Sequence, residues 1–167
     1  MNKKDIGISP DSIFEKLRYV LYMEQNSSVL LSSPELLGPF ISIMIFILSL
    51  RARSSADLIY FYFLLFFGTI FVFKIVDLMK ESLTRLTLYQ TSSILFYCFF
   101  PISIFSLYSL FFKINSLIGF LISLFFLFYT SIRTSTVFIE YYKMKKNSIA
   151  LGYLFFVYYV CYIILIK

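Results

Sequence analysis

The chain has 167 residues, of which 60% are apolar and only 14% charged, whereas a soluble domain carries about a quarter charged residues. Too little polar surface remains for a water-soluble globule, which points to one compact unit solvated by a bilayer. The net charge of +6 is accounted for by where the cations fall and by attraction to anionic lipid headgroups, so it calls for no nucleic-acid partner.

Residues 1 to 34 lack the apolar core and small-residue cleavage site of a secretory leader and are expected to stay as a cytosolic leader. Within them Ser9-Pro10-Asp11 reads as a helix start, with Ser9 as N-cap and Pro10 at the first helical position, where its missing N–H costs nothing. Ile13, Phe14, Leu17, Val20 and Leu21 recur at helical spacing, with Asp11, Glu15, Lys16 and Arg18 largely elsewhere. This predicts a short amphipathic helix on the cytosolic face, either resting on headgroups or docking a cytosolic partner. Asn26-Ser27-Ser28 and Ser32-Ser33-Pro34 then read as the loop into the membrane.

Charged residues fence the spans, because a lone charge at bilayer depth costs about 2.5 to 3.5 kcal/mol. Five charge-free stretches follow in order: Leu36 to Leu50, Leu58 to Phe73, Leu86 to Phe112, Ile114 to Ile132 and Asn147 to Ile166. The first two fall short of the usual length of about 20 residues. A thin bilayer such as that of the early secretory pathway would accommodate them, with Arg51 and Lys74 snorkelling from span ends. Pro101 divides the third stretch and predicts a kink whose freed carbonyl Ser or Thr side chains can mend. The fold class is thus an all-α polytopic bundle of five transmembrane helices.

Orientation follows from the basic residues. Lys3, Lys4, Lys16 and Arg18 lie in the leader, Lys74, Lys80 and Arg85 after the second span, and Arg133, Lys143, Lys145 and Lys146 after the fourth. Arg51, Arg53, Lys113 and Lys167 fall on the other side, which places the N-terminus in the cytosol and the C-terminus in the lumen.

Catalytic chemistry is missing from the pattern. The chain has no His, so the commonest general base and metal ligand are absent. Cys98 and Cys161 are isolated in the third and fifth stretches and read as buried free thiols. No carboxylate falls within a charge-free stretch, so paired acids for proteolysis or ion coupling are lacking. No catalytic, cofactor or metal residue is assigned, and Lys74 and Asp77 read as a structural i, i+3 pair. Packing chemistry is present instead: Gly38 with Ser42, Gly119 with Ser123, and Ser148 with Gly152 are small-xxx-small pairs, suited to close helix contacts inside the bundle or with another subunit.

Three segments carry a family resemblance. Glu35-Leu36-Leu-Gly38-Pro39-Phe40 resembles the Asp-Leu-x-Gly-Pro signature of the Yip family, the Ypt/Rab-interacting five-span proteins of the early secretory pathway. Ile94-Leu-Phe-Tyr97-Cys-Phe-Phe-Pro101 is similar to its Tyr-x-x-x-Pro segment, and Asp5-Ile-Gly7-Ile-Ser-Pro-Asp11-Ser-Ile13-Phe14-Glu-Lys16 to the leader of its founding branch. The resemblance covers nearly the whole chain. It implies a leader over 1–34, a five-span domain over 35–167, residence in the endoplasmic reticulum or Golgi membrane, and a non-enzymatic adaptor of vesicle-mediated transport. The implied partners are Rab/Ypt-type GTPases, vesicle coat components and a related Yip-type membrane subunit, with Asp5, Asp11, Ile13, Phe14 and Lys16 as a candidate cytosolic surface. The competing class is a small polytopic transporter or channel, which would need a polar pathway through Thr91, Ser92, Ser93, Ser103 and Ser106.

Overall fold

The structure, a computed structural model, describes residues 10–22, 37–52, 58–80, 87–111, 117–142, 144 and 148–166. Their regular elements are helical: α1 (Pro10–Tyr22), α2 (Leu37–Ala52), α3 (Leu58–Met79), α4 (Leu88–Tyr108), α5 (Leu117–Tyr142) and α6 (Ser148–Ile166). Helices α3 to α6 are long and apolar enough to cross a membrane, and α2 is a shorter apolar helix.

Two helices run past the charges that were expected to end them. Helix α3 continues beyond Phe73 to Met79 with Lys74 on its exposed side. No Gly or Pro interrupts it there, and the aliphatic stem of an outward Lys can carry its ammonium along the surface. Asp77 pairs with Lys80 at 2.6 Å rather than with the expected Lys74. The second span is therefore not short, which removes half the ground for inferring a thin bilayer. Helix α5 likewise continues past Ile132 to Tyr142, taking Arg133 into a buried position inside the helix rather than into a connecting loop.

A wide π-helical turn over Leu64–Gly68 interrupts α3. Such turns are rare, and here Gly68 lies so close to the Tyr158 ring of α6 that a Cβ would intrude on it. Helix α4 opens on Thr87, whose side chain accepts the Gln90 N–H at 3.3 Å as an N-cap. It breaks at Phe99, and Pro101 falls in the first turn of the second half, where its missing N–H is harmless. Ser103 donates its hydroxyl to the Phe99 carbonyl at 3.4 Å, beside the break.

Contacts between helices give their relative directions. Gly38 abuts Tyr97, and farther along Ser49 hydrogen-bonds Ser106, so α2 and α4 run parallel. Phe61 packs on Tyr162 while Thr69 meets Tyr158, so α3 and α6 are antiparallel. Helices α5 and α6 form an antiparallel hairpin through Thr134–Tyr159 and Phe138–Phe155. Helix α4 lies at the centre, with 72% of its most apolar window buried against 22% for α3.

Rings fill the middle of the bundle. Phe46 of α2 lies 5.1 Å from Phe61 of α3, 5.0 Å from Phe99 of α4 and 6.1 Å from Tyr162 of α6, so four helices meet in one aromatic cluster. Each such pair contributes about 0.5–1.5 kcal/mol beyond area burial. Lipid tails are as apolar as the core, so this close ring packing rather than water exclusion holds the helices together.

Candidate interaction site

Helix α2 starts at the level of Tyr97, while its parallel neighbour α4 starts nine residues earlier, at Leu88. Among the described residues the difference amounts to about 13 Å, and α1 packs in the notch between the two helices, against α2 and both halves of α4.

The face of α1 turned to the bundle takes only part of its apolar stripe, with Leu17 at the edge of the core. Lys16, Tyr19 and Val20 are buried, while Phe14 is 73% exposed and Leu21 39%. Lys16 places its ammonium 5.8 Å from the centroid of the Tyr97 ring, within cation–π range. The same ring fills the space where a Cβ on Gly38 would stand, so only glycine admits it. Gly38 and Pro39 are buried, and Ser42 returns its hydroxyl to the Gly38 carbonyl at 3.3 Å.

A second anchor comes from α5. A helix leaves its last four carbonyls without intrahelical partners. In α1 these include Tyr19, Val20 and Leu21, which are met from outside: Arg133 Nη2 donates to the Tyr19 carbonyl at 2.5 Å, and the single Tyr129 O–H is shared between the Val20 and Leu21 carbonyls at 2.8 Å and 2.7 Å. Tyr129 and Arg133 stand one turn apart on α5 and act together as a C-cap supplied by a different helix. The guanidinium also sits 4.6 Å over the Tyr19 ring. Burial raises the Tyr19 phenol above its ordinary pKa, with the Arg133 charge opposing that shift, so the ring remains neutral. A cation at the negative end of a helix dipole is stabilised by up to about 2 kcal/mol in partly buried geometry, which answers part of the cost of placing Arg133 there.

The structure thus brings Gly38, Pro39, Tyr97 and Lys16 into one contact region, with Pro101 one turn along α4 from Tyr97. Ile13 is half-buried, Phe14 faces outward and Lys16 faces the bundle. Glu35, Leu36 and Asp5 lie outside the described residues, as do the side chains of Asp11 and Ser148. Gly119 and Ser123 are buried on α5. Gly152 has open space where a Cβ would go, so no close helix approach is made there within this chain. Tyr19, Tyr129 and Arg133 escaped the sequence reading because Arg133 was taken as a fence post. The uninterrupted run from Ser131 to Tyr142, with no Gly or Pro, was the available signal that the helix continues.

No family model matches the chain, and no solved structure matches it. Over 164 residues it is 28% identical to the "Protein transport protein YIP1" of Saccharomyces cerevisiae. The chain is homologous to this Yip protein. The alignment takes in 93% of this chain and 66% of the yeast protein, so the chain spans about two thirds of the relative's length. The resemblance carried by the three motifs is borne out, and the relative is named for protein transport rather than for an enzymatic activity.

Proposed function

We propose that the protein is a non-enzymatic membrane adaptor of vesicle-mediated transport between the endoplasmic reticulum and the Golgi, working with Rab-type GTPases, coat components and a related Yip-type subunit. The observation that carries this reading is the homology to a yeast protein transport protein across 93% of the chain, joined to the convergence of the motif residues Gly38, Tyr97 and Lys16 at a single contact. In this reading residues 1–34 are a cytosolic leader and residues 35–167 a five-span domain. Alternating helix directions, with α2, α4 and α6 parallel to each other, suit five crossings with α1 on the cytosolic side.

The transporter reading finds little support in the helix that was to carry it. Thr91 bonds the Thr87 carbonyl, Ser92 the Tyr89 carbonyl, Ser103 the Phe99 carbonyl, and Ser106 the Ser49 hydroxyl, so these groups are committed to the fold. The groove of about 270 Å³ between α3 and α6 is lined by apolar side chains such as Leu64, Phe67, Leu154 and Val157. Proximity labelling of the tagged protein in its own cell tests the proposal. Enrichment of Rab-type GTPases and a second Yip-type protein is expected; a labelled set with neither, or residence outside the early secretory membranes, overturns it.

A further inference from the structure

The outward surface of α1 has two flanks with different chemistry. At about 100° per residue, Lys16, Tyr19 and Val20 form the bundle-facing sector, Ile13, Phe14, Leu17 and Leu21 lie on one side of it, and Glu15 and Arg18 lie toward the other. The level of α1 along the bundle can be read from contacts. The Tyr159 hydroxyl meets both the Leu95 carbonyl at 3.2 Å and the Thr134 hydroxyl at 2.9 Å, fixing one level on α4, α5 and α6. Tyr97 and Arg133, which hold α1, are within two residues of it, or about 3 Å along the axes. Thr69 meets Tyr158 at 3.4 Å and brings α3 to the same level. From there α3 runs on to Met79 and α6 back to Ser148, each about 15 Å. On the other side α4 runs to Tyr108, about 20 Å away. Helix α1 therefore lies against the flank of the long helices, below their ends, and the exposed Lys74 of α3, about 8 Å beyond Thr69 toward Met79, brings the headgroup boundary close to it.

We propose that α1 is an in-plane helix at the membrane boundary, with Phe14, Leu21 and the outer sides of the half-buried Ile13 and Leu17 in the acyl chains of the adjacent leaflet and its Glu15 and Arg18 flank toward headgroups and water. Three sectors of one short helix thereby meet three media: protein, lipid and solvent. The occupant of the apolar flank is phospholipid acyl chain, because at this depth the bundle holds that flank beside the tails. Interfacial helices bury their apolar face about 5–10 Å into the headgroup–acyl boundary, and here Tyr129 and Arg133 set that depth through the α1 carbonyls.

The chain contains no Trp, so a single Trp reports its own surroundings. In the full chain reconstituted into phospholipid nanodiscs, Phe14→Trp and Leu21→Trp should emit at shorter wavelength than Glu15→Trp. They should also be quenched several-fold more by lipids brominated along the acyl chain. Iodide in the buffer should quench Glu15→Trp and spare the other two. Adding Tyr129→Phe to Phe14→Trp, which removes only a hydroxyl, should weaken quenching by mid-chain bromines as the tether loosens. Iodide-accessible Phe14→Trp without bromolipid quenching would put the flank in water, as a surface for a soluble partner. Unchanged quenching depth with Tyr129→Phe and also with Arg133→Gln would mean that α1 finds the leaflet without the bundle. Either result overturns the proposal.

Discussion

At the middle of the bundle Phe46, Phe61, Phe99 and Tyr162 meet ring to ring, whereas beneath α1 the two buried cations Lys16 and Arg133 are held against rings and helix-end carbonyls. The first region gains many small dispersion contacts, each of which can be weakened by degrees. The second depends on a few directional contacts, and burying a cation whose partner has been removed costs the bundle far more than losing one ring edge. In a bilayer this difference sharpens, because burial of apolar groups away from lipid gives no hydrophobic gain. Shape complementarity therefore holds the centre, and polar satisfaction holds the notch.

The largest effect that would break this comparison is steric. Gly38→Leu forces a side chain into the volume of the Tyr97 ring and should destabilise the bundle by about 3 kcal/mol, seen as a large loss of resistance to denaturing detergent in mixed micelles. Arg133→Met removes the cation and leaves the Tyr19 carbonyl without this donor; a cost of about 2 kcal/mol is expected. Protease cleavage within α1 in the folded protein should rise in parallel. Tyr129→Phe keeps the ring and loses only the hydroxyl shared by the Val20 and Leu21 carbonyls, for about 1 kcal/mol. Gly152→Ala enters open space and improves helix propensity, so a gain of about 0.5 kcal/mol is expected. Equal losses from Gly152→Ala and Gly38→Ala in the monomer would show that the notch has no special tightness.

Much of the fold was legible from the chain. Pro10 as the first described position of α1, the break before Pro101 and the order of apolar helices all follow from local chemistry, because Pro geometry and apolar runs act on their own segments. The candidate site was legible only in part. Gly38 and Tyr97 were marked as separate motifs, and nothing in their spacing tells that one admits the ring of the other. Lys16 was placed on a cytosolic surface by the family resemblance, and the apolar stripe of α1 was expected to rest on headgroups or to dock a partner. The structure rotates the buried face toward Lys16 and Tyr19, since the bundle offers Tyr97 to the ammonium of Lys16, and it leaves Phe14 and Leu21 outside.

The sequence by itself determined the solvent of this protein, since a chain with 14% charged residues and long apolar runs has nowhere to fold but in lipid. It also determined that the elements are helices, because backbone groups in lipid must be paired within helices or closed barrels, and long continuous apolar runs rather than short alternating ones select helices. Only the tertiary structure decided where the charges sit. A fence-post argument counts the cost of each cation alone, but that cost depends on partners from elsewhere in the chain, and the Arg133 partner lies 114 residues away in α1.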